Sequence, residues 1–196
     1  PMRHAVEVAK RIGPFVRSDA LLCDINSLKR DVCEAMGTSS AGEVLGTHPM
    51  FGPSVHSLRR QKVVVCPVRQ GPLSTWFRDE LSHLGMELIE ATPEHHDRMM
   101  AVVQVLVHFR TLVMGEALLR TGVPISESLK YTSPIYRLEL SVIGRLFAQD
   151  PDLYAEIEMD NPYGETVRAG FLEAAEGLAA IVKDGDREAF CERFGR

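Results

Sequence analysis

Two polar segments in the first half of the chain carry side chains suited to proton transfer. The first, DINSLK, spans residues 24–29, and the second, GTHPMFGP, contains His48. A histidine with a pKa near neutrality is the usual general base. In the first segment, Ser27 can donate a hydrogen bond to the substrate oxygen from which such a base would take a proton. The pattern leaves a plainer interpretation open, in which Ser27 caps a helix and His48 only stabilises its loop.

Three polar side chains of the second half share one predicted helix. Gln104 and His108 are four residues apart, so an α-helix places them on the same face. His96 falls in the first turn, where backbone N–H groups attract anions. The alternative is that His96 is exposed and that His108 lies in the core with its hydrogen bonds made.

A second helix carries a stripe of arginines. Arg137, Ser141 and Arg145 follow one another at intervals of four residues. The helix is otherwise apolar, which predicts that it is buried, and buried arginines need anionic partners. Two guanidinium groups on one face can bind the carboxylates of a dianionic substrate. Acidic residues of another helix or subunit fit the pattern equally well.

No metal site is predicted. The chain has no H-E-x-x-H segment, and its four cysteines are far apart without a C-x-x-C pair. We expect reduced thiols in a cytoplasmic protein.

Strand and helix patterns alternate over residues 1–91. This alternation favours a parallel, doubly wound sheet, whose ligands bind beyond the carboxyl ends of the strands. Ser27 is expected to cap a helix from Leu28 to about Met36 that Gly37 ends. Strands are predicted at residues 20–25, 43–47, 62–66 and 86–90, and further helices at 4–12 and 72–84.

The pattern changes at Thr92, which can cap a long helix to about Arg120. Residues 92–196 are predicted to be entirely helical, which gives two domains, 1–91 and 92–196. Helices are expected at 134–149, 152–159, 165–182 and 187–194.

Composition narrows the class of partner. The 196 residues are 45% hydrophobic and carry a net charge of −5, which excludes disorder and disfavours nucleic acid or an anionic membrane surface. No apolar run is expected to approach the roughly 18 residues that a membrane helix needs. The start of the chain has no signal-peptide pattern.

Three longer motifs carry a resemblance to a known family. The segments GTHPMFGP (46–53), SPIYRLEL (133–140) and GRLFAQDP (144–151) resemble prephenate dehydrogenase, above all the enterobacterial bifunctional type that also has a chorismate mutase. DINSLK and EHHD (94–97) also fit, and the match covers essentially the whole chain. The resemblance implies half of a Rossmann-like sheet followed by a helical dimerisation domain.

The resemblance also implies an activity: NAD-dependent oxidative decarboxylation of prephenate to 4-hydroxyphenylpyruvate, in tyrosine biosynthesis. His48 would be the catalytic base and Ser27 would contact the same hydroxyl. Asn26 and Ser27 would lie on the cofactor side. A homodimer with tyrosine as feedback inhibitor is expected. Substrate-binding residues would be Arg145, Arg137, His96, His108, Lys29, Gln104 and Tyr154.

The sequence contains no G-x-G-x-x-G turn. We therefore expect this chain to be the later part of a longer dehydrogenase. Two alternatives stay open: a truncated, non-catalytic dimeric module that binds an aromatic effector, and an arogenate dehydrogenase.

Overall fold

Four apolar segments form one sheet in the computed structural model, which describes residues 2–195. The strands are β1 (Leu21–Asp24), β2 (Glu43–Pro49), β3 (Lys62–Arg69) and β4 (Glu87–Glu90). They lie side by side in chain order. All four coincide with the predicted strands, although β2 and β3 are each longer than expected.

The sheet is only partly parallel. β1 pairs with β2 and β3 with β4 in parallel, but β2 and β3 are antiparallel. The prediction of a wholly parallel sheet is therefore wrong at its centre. The physical reason is the connection at residues 50–61, which has no helix to carry the chain back across the sheet.

Helices cover both faces of this sheet. On one face, α1 (Ala5–Ile12) and α2 (Arg30–Ser39) bury Ala9 and Met36 against Val44. On the other face, Phe77 of α3 packs against a buried group of β-strand residues, Leu45, Val63 and Val65. The helices α3 (Pro72–His83), α4 (Pro93–Met100) and α8 (Pro151–Asp160) complete this first unit.

The start of α2 differs from the prediction. The helix begins at Arg30, two residues later than expected, and Ser27 does not cap it. The carboxylate of Asp97 accepts hydrogen bonds from the backbone N–H groups of Lys29 and Arg30 instead. Gly37 lies inside the helix rather than at its end.

The second unit is entirely helical, as predicted. Ser133 is the N-cap of α7, because its hydroxyl accepts a hydrogen bond from the backbone N–H of Tyr136 at 3.1 Å. The elements are a π-helical segment (Ala101–Leu106), α5 (Val107–Arg120), α6 (Ile125–Ser128), α7 (Pro134–Phe147), α9 (Gly164–Asp184) and α10 (Arg187–Phe194).

One continuous helical stretch, Pro93–Arg120, is long and apolar enough to cross a membrane by length and composition alone. The same composition also occurs in core helices, so it is weak evidence for a membrane span.

The structure contains two compact units, and the predicted domains 1–91 and 92–196 stay a prediction. The first unit contains residues 2–100 and Asp152–Asn161, and the second contains Ala101–Pro151 and residues 162–195. The division between the two units falls after residue 100, inside the helical stretch.

Candidate active site

The parallel pair β1 and β2 brings the two polar segments together. Asp24 at the end of β1 lies opposite Gly46 of β2. Its carboxylate accepts hydrogen bonds from the backbone N–H and the side-chain amide of Asn26, each at 2.9 Å. The same carboxylate pairs with the ammonium group of Lys29. At the end of β1, the carboxylate of Asp24 is therefore the centre of a polar network with Asn26 and Lys29.

Lys29 is entirely buried, with no exposed surface. Because a buried ammonium group needs a negative partner, the ion pair with Asp24 explains how the charge is tolerated. This placement gives Lys29 an electrostatic role beside the site. Its predicted contact with substrate stays a prediction.

His48 lies on β2, opposite Val64 of β3, and only 4% of its surface is exposed. Its Nδ1 atom is 2.9 Å from Nε2 of His96. Burial, followed by the electrostatic effects of His96 and Lys29, lowers the pKa of His48 to about 3, while the charge of Asp97 opposes the shift. The imidazole of His48 is thus neutral at physiological pH.

His96 and Asp97 lie on α4 and are both 1% exposed. Nδ1 of His96 is 2.7 Å from Oδ1 of Asp97. Burial raises the pKa of Asp97, but hydrogen bonds from His96 and from the backbone of Arg30 and Lys29 outweigh it, so the pKa lies below its ordinary value. Protein groups occupy both ring nitrogens of His96. Its predicted contact with substrate stays a prediction.

Gly46, in the GTHPMFGP motif, permits close packing beside the site. A Cβ atom at this position would lie 2.4 Å from Sγ of Cys33 on α2 and 3.3 Å from Cδ of Lys29. Any larger residue would push α2 away from β2. The glycine thus keeps the start of α2 against the strand that carries His48.

The remaining predicted residues of the first unit are half-buried. Asn26 and Ser27 lie in the loop between β1 and α2, and Tyr154 lies on α8. The side chain of Asn26 is held by Asp24, as described above. The structure leaves their predicted contacts with cofactor or substrate as predictions.

The second unit carries its own group of polar residues. Gln104 lies in the π-helical segment, and His108 and Arg145 lie on α5 and α7, which pack against each other. Burial, followed by the positive charge of Arg145, lowers the pKa of His108. Because a π-helical turn is wider than an α-helical one, the predicted alignment of Gln104 with His108 applies only approximately.

The arginine stripe was predicted to be buried, but it is exposed. Arg137, Ser141 and Arg145 are all exposed in the isolated chain, and Leu146 is the buried residue of α7. The apolar side chains that suggested burial are themselves exposed, among them Ile135 at 70% and Leu138 at 61%. Within residues 2–195, neither guanidinium forms an ion pair; Glu139 of the same helix pairs with Arg110.

Sequence reasoning gave no role to two acids, Asp24 and Asp97. Asp97 stands next to His96 in the EHHD motif, and Asp24 opens DINSLK, so both adjoin residues already singled out. An acid beside a candidate histidine is the signal that was available. Across the described part of the chain, 2–195, no three His, Cys, Asp or Glu residues cluster as a metal site would require.

Comparison with known proteins decides the family. The profile described as "Prephenate dehydrogenase, dimerization domain" matches residues 92–196, and the one described as "Prephenate dehydrogenase, nucleotide-binding domain" matches residues 1–77. The chain belongs to the prephenate dehydrogenase family. This confirms the resemblance carried by its motifs.

Two curated relatives of the prephenate dehydrogenase family align with nearly all of the chain. The "Probable arogenate/prephenate dehydrogenase" of Methanocaldococcus jannaschii is 40% identical over 195 residues, which are 97% of this chain and 44% of that protein. The "T-protein" of Enterobacter agglomerans is 37% identical over 196 residues, 100% of this chain and 52% of its own length. The chain therefore spans about half the length of these relatives.

A solved prephenate dehydrogenase has the same fold. The Aquifex aeolicus enzyme, crystallised with hydroxyphenyl propionate and NAD+, superposes with a TM-score of 0.78 at 21% identity, over 100% of this chain and 71% of that one. The expected order of a Rossmann-like sheet followed by a helical domain is confirmed at the level of the fold.

Proposed function

We propose that this chain is part of an enzyme that oxidises prephenate with NAD and releases 4-hydroxyphenylpyruvate and carbon dioxide, a step of tyrosine biosynthesis. The observation that carries the proposal is the buried, neutral His48 at the end of β2, in a chain of this family. A non-catalytic module is not favoured, because profiles of both dehydrogenase domains match the chain.

His48 acts as the general base in this proposal. A base must be neutral before it accepts a proton, and a pKa of about 3 keeps the imidazole neutral at physiological pH. His48 takes the proton of the ring hydroxyl while a hydride leaves the ring carbon that bears this hydroxyl. Loss of carbon dioxide then makes the ring aromatic. The hydroxyl of Ser27 donates a hydrogen bond to the same oxygen.

The arginines recognise the acidic groups of the substrate. Arg145 binds one carboxylate and Arg137 assists it from the same face of α7, each through a forked guanidinium. Their exposure and lack of ion pairs within residues 2–195 support this role. The other proposed substrate contacts are with His108, Gln104, Lys29 and Tyr154.

The nicotinamide cofactor is proposed for the loop after β1. The amide of Asn26 and the hydroxyl of Ser27 are groups that hydrogen-bond a carboxamide, and both are half-buried rather than sealed in the core. When bound, NAD accepts the hydride. The chain's own contribution is to hold the substrate hydroxyl and remove its proton.

A homodimer through the helical half is proposed from the dimerisation-domain match and from an apolar surface. A cavity of about 540 Å³ between α5 and α7 is lined by Leu118, Leu140, Ile143 and Phe147 among others. A second subunit would cover such a surface. We also propose tyrosine as feedback inhibitor and the cytoplasm as the site of action.

Arogenate is the second candidate substrate. The M. jannaschii relative is named for both substrates. Prephenate and arogenate share the ring hydroxyl and ring carboxylate, so His48 and Arg145 would serve either one.

The test is to follow NADH formation by the native protein with prephenate and with arogenate in parallel. We expect NADH to appear with prephenate together with equimolar 4-hydroxyphenylpyruvate. A preference for arogenate would favour the second candidate. Absence of NADH formation with both substrates would contradict the proposal.

A further inference from the structure

Three buried side chains form a continuous line that ends at His48. His48 Nδ1 lies 2.9 Å from His96 Nε2, and His96 Nδ1 lies 2.7 Å from Asp97 Oδ1. All three residues are at most 4% exposed. Since the general-base role of His48 uses a single ring nitrogen, this line raises the question of what the other two residues do.

The ionised state of Asp97 fixes the proton on His96. The carboxylate accepts hydrogen bonds from the N–H groups of Lys29 at 2.8 Å and Arg30 at 2.9 Å, and its pKa is lowered, so it is an acceptor only. The third donor to it must be the Nδ1–H of His96. In the neutral form of His96, Nδ1–H is the one N–H of the ring, so Nε2 carries a lone pair.

The same reasoning extends to His48. Its Nδ1 faces the lone pair on Nε2 of His96, so Nδ1 must carry the proton. The lone pair of His48 therefore resides on Nε2, the nitrogen that does not face His96. A protein that held His48 in the other tautomer would direct an N–H, rather than a base, along the Nε2 direction.

We propose that Asp97 and His96 are positioning residues that hold His48 in the Nδ1–H tautomer, with Nε2 as the base that receives the substrate proton. The inference rests on the proposed function of His48 and deepens it. In the proton transfer, the hydroxyl proton passes to Nε2 and the resulting imidazolium keeps its Nδ1–H bond to His96. The carboxylate of Asp97 stabilises the positive charge through His96.

The charges around His48 are consistent with this arrangement. Lys29, at the start of α2, disfavours the charged imidazole. The ammonium group of Lys29 itself pairs with Asp24 of β1. On α4, Asp97 is the acid whose charge favours protonated His48. Asp97 thus acts on both the tautomer and the charge of the base.

Two-bond ¹H–¹⁵N correlation spectra of the histidine rings test the tautomers directly, in the native protein without substrate. We expect both His48 and His96 to give the pattern of an Nδ1–H imidazole. An Nε2–H pattern for either ring would overturn the proposal. Because this readout needs no turnover, it stands or falls separately from prephenate oxidation, whose failure would appear only in the activity assay.

A matched pair of variants tests the consequence. His96→Gln keeps an acceptor oxygen for Nδ1–H of His48, whereas His96→Leu removes it. We expect His96→Gln to retain kcat within about tenfold and the Nδ1–H signal of His48. His96→Leu should lose that signal and at least about 100-fold in kcat, the lower range of general-base catalysis, with a much smaller change in KM. Equal kcat for the two variants would contradict the proposal, and the spectra of the unmodified protein decide it if His96→Leu does not fold.

Discussion

Replacing His48 by asparagine should reduce the sensitivity of the fold to mild acid. The folded-state pKa of His48 is about 3, against an ordinary value of 6.5. A lowered histidine pKa means that the unfolded state binds the proton more readily. The stability that the neutral imidazole contributes is therefore complete above pH 6.5 and is lost as the pH falls toward 3.

The size of the effect follows from the two pKa values. At pH 5 an unfolded histidine is almost fully protonated, while buried His48 is not. Each pH unit below 6.5 costs about 1.4 kcal/mol, so His48 removes about 2 kcal/mol of unfolding free energy between pH 7.5 and pH 5. The folded-state pKa of Asp97 lies below its ordinary value of 3.8, so the stability that Asp97 contributes is lost only at pH values below this window.

Urea denaturation at pH 7.5 and pH 5 measures the difference. Trp76 on α3 belongs to the same unit as His48 and reports its unfolding by fluorescence. Between pH 7.5 and pH 5, the free energy of unfolding of His48→Asn should fall by about 2 kcal/mol less than that of the unmodified protein. The control His56→Asn, at an exposed position, should keep the original dependence. Identical pH dependences for His48→Asn and the unmodified protein would refute the reasoning.

The other predictions concern packing, capping and substrate binding. Gly46→Ala should destabilise the protein by about 1–3 kcal/mol in urea denaturation, because the added Cβ would overlap Cys33. The control Gly170→Ala has open space around it and should not destabilise the protein. Equal effects of the two substitutions would contradict the packing argument. Ser133→Ala should cost about 1 kcal/mol through loss of the cap on α7, measured in the same way, and an unchanged midpoint would argue against it. Arg145→Gln should raise KM for prephenate by about 10-fold or more with little change in kcat, while the exposed control Arg120→Gln should leave both constants unchanged.

The strands were predictable because their side chains identify them. Val63, Val64 and Val65 are β-branched and apolar, and they lie in the core of the sheet. Their direction was not evident from the apolar pattern, which is the same for parallel and antiparallel strands. The stretch between His48 and Lys62 held the missing information, because it has no helical pattern.

The start of α2 shows a second limit of sequence reasoning. Ser27 has the right residue type to cap the predicted helix, but the cap of the observed helix comes from Asp97, 68 residues from Lys29 along the chain. Tertiary contacts of this kind satisfy backbone N–H groups as well as a local side chain does. Local rules cannot distinguish the two.

His48 and its neighbours show what the motif did predict. The motif identified His48 as the candidate base, and His96 was predicted separately as a substrate contact, which stays a prediction. Only the three-dimensional arrangement places His96 between His48 and Asp97. For α7, the apolar pattern predicted burial, whereas the isolated chain exposes Arg137 and Arg145.

The most direct test of the central claim compares the turnover of prephenate by the His48→Asn variant with that by the unmodified protein. If His48 is the general base, kcat for NADH formation should fall by at least about 100-fold while KM for prephenate changes far less. The exposed control His56→Asn should turn over prephenate at the original rate. A kcat for His48→Asn within threefold of the unmodified protein would contradict the account.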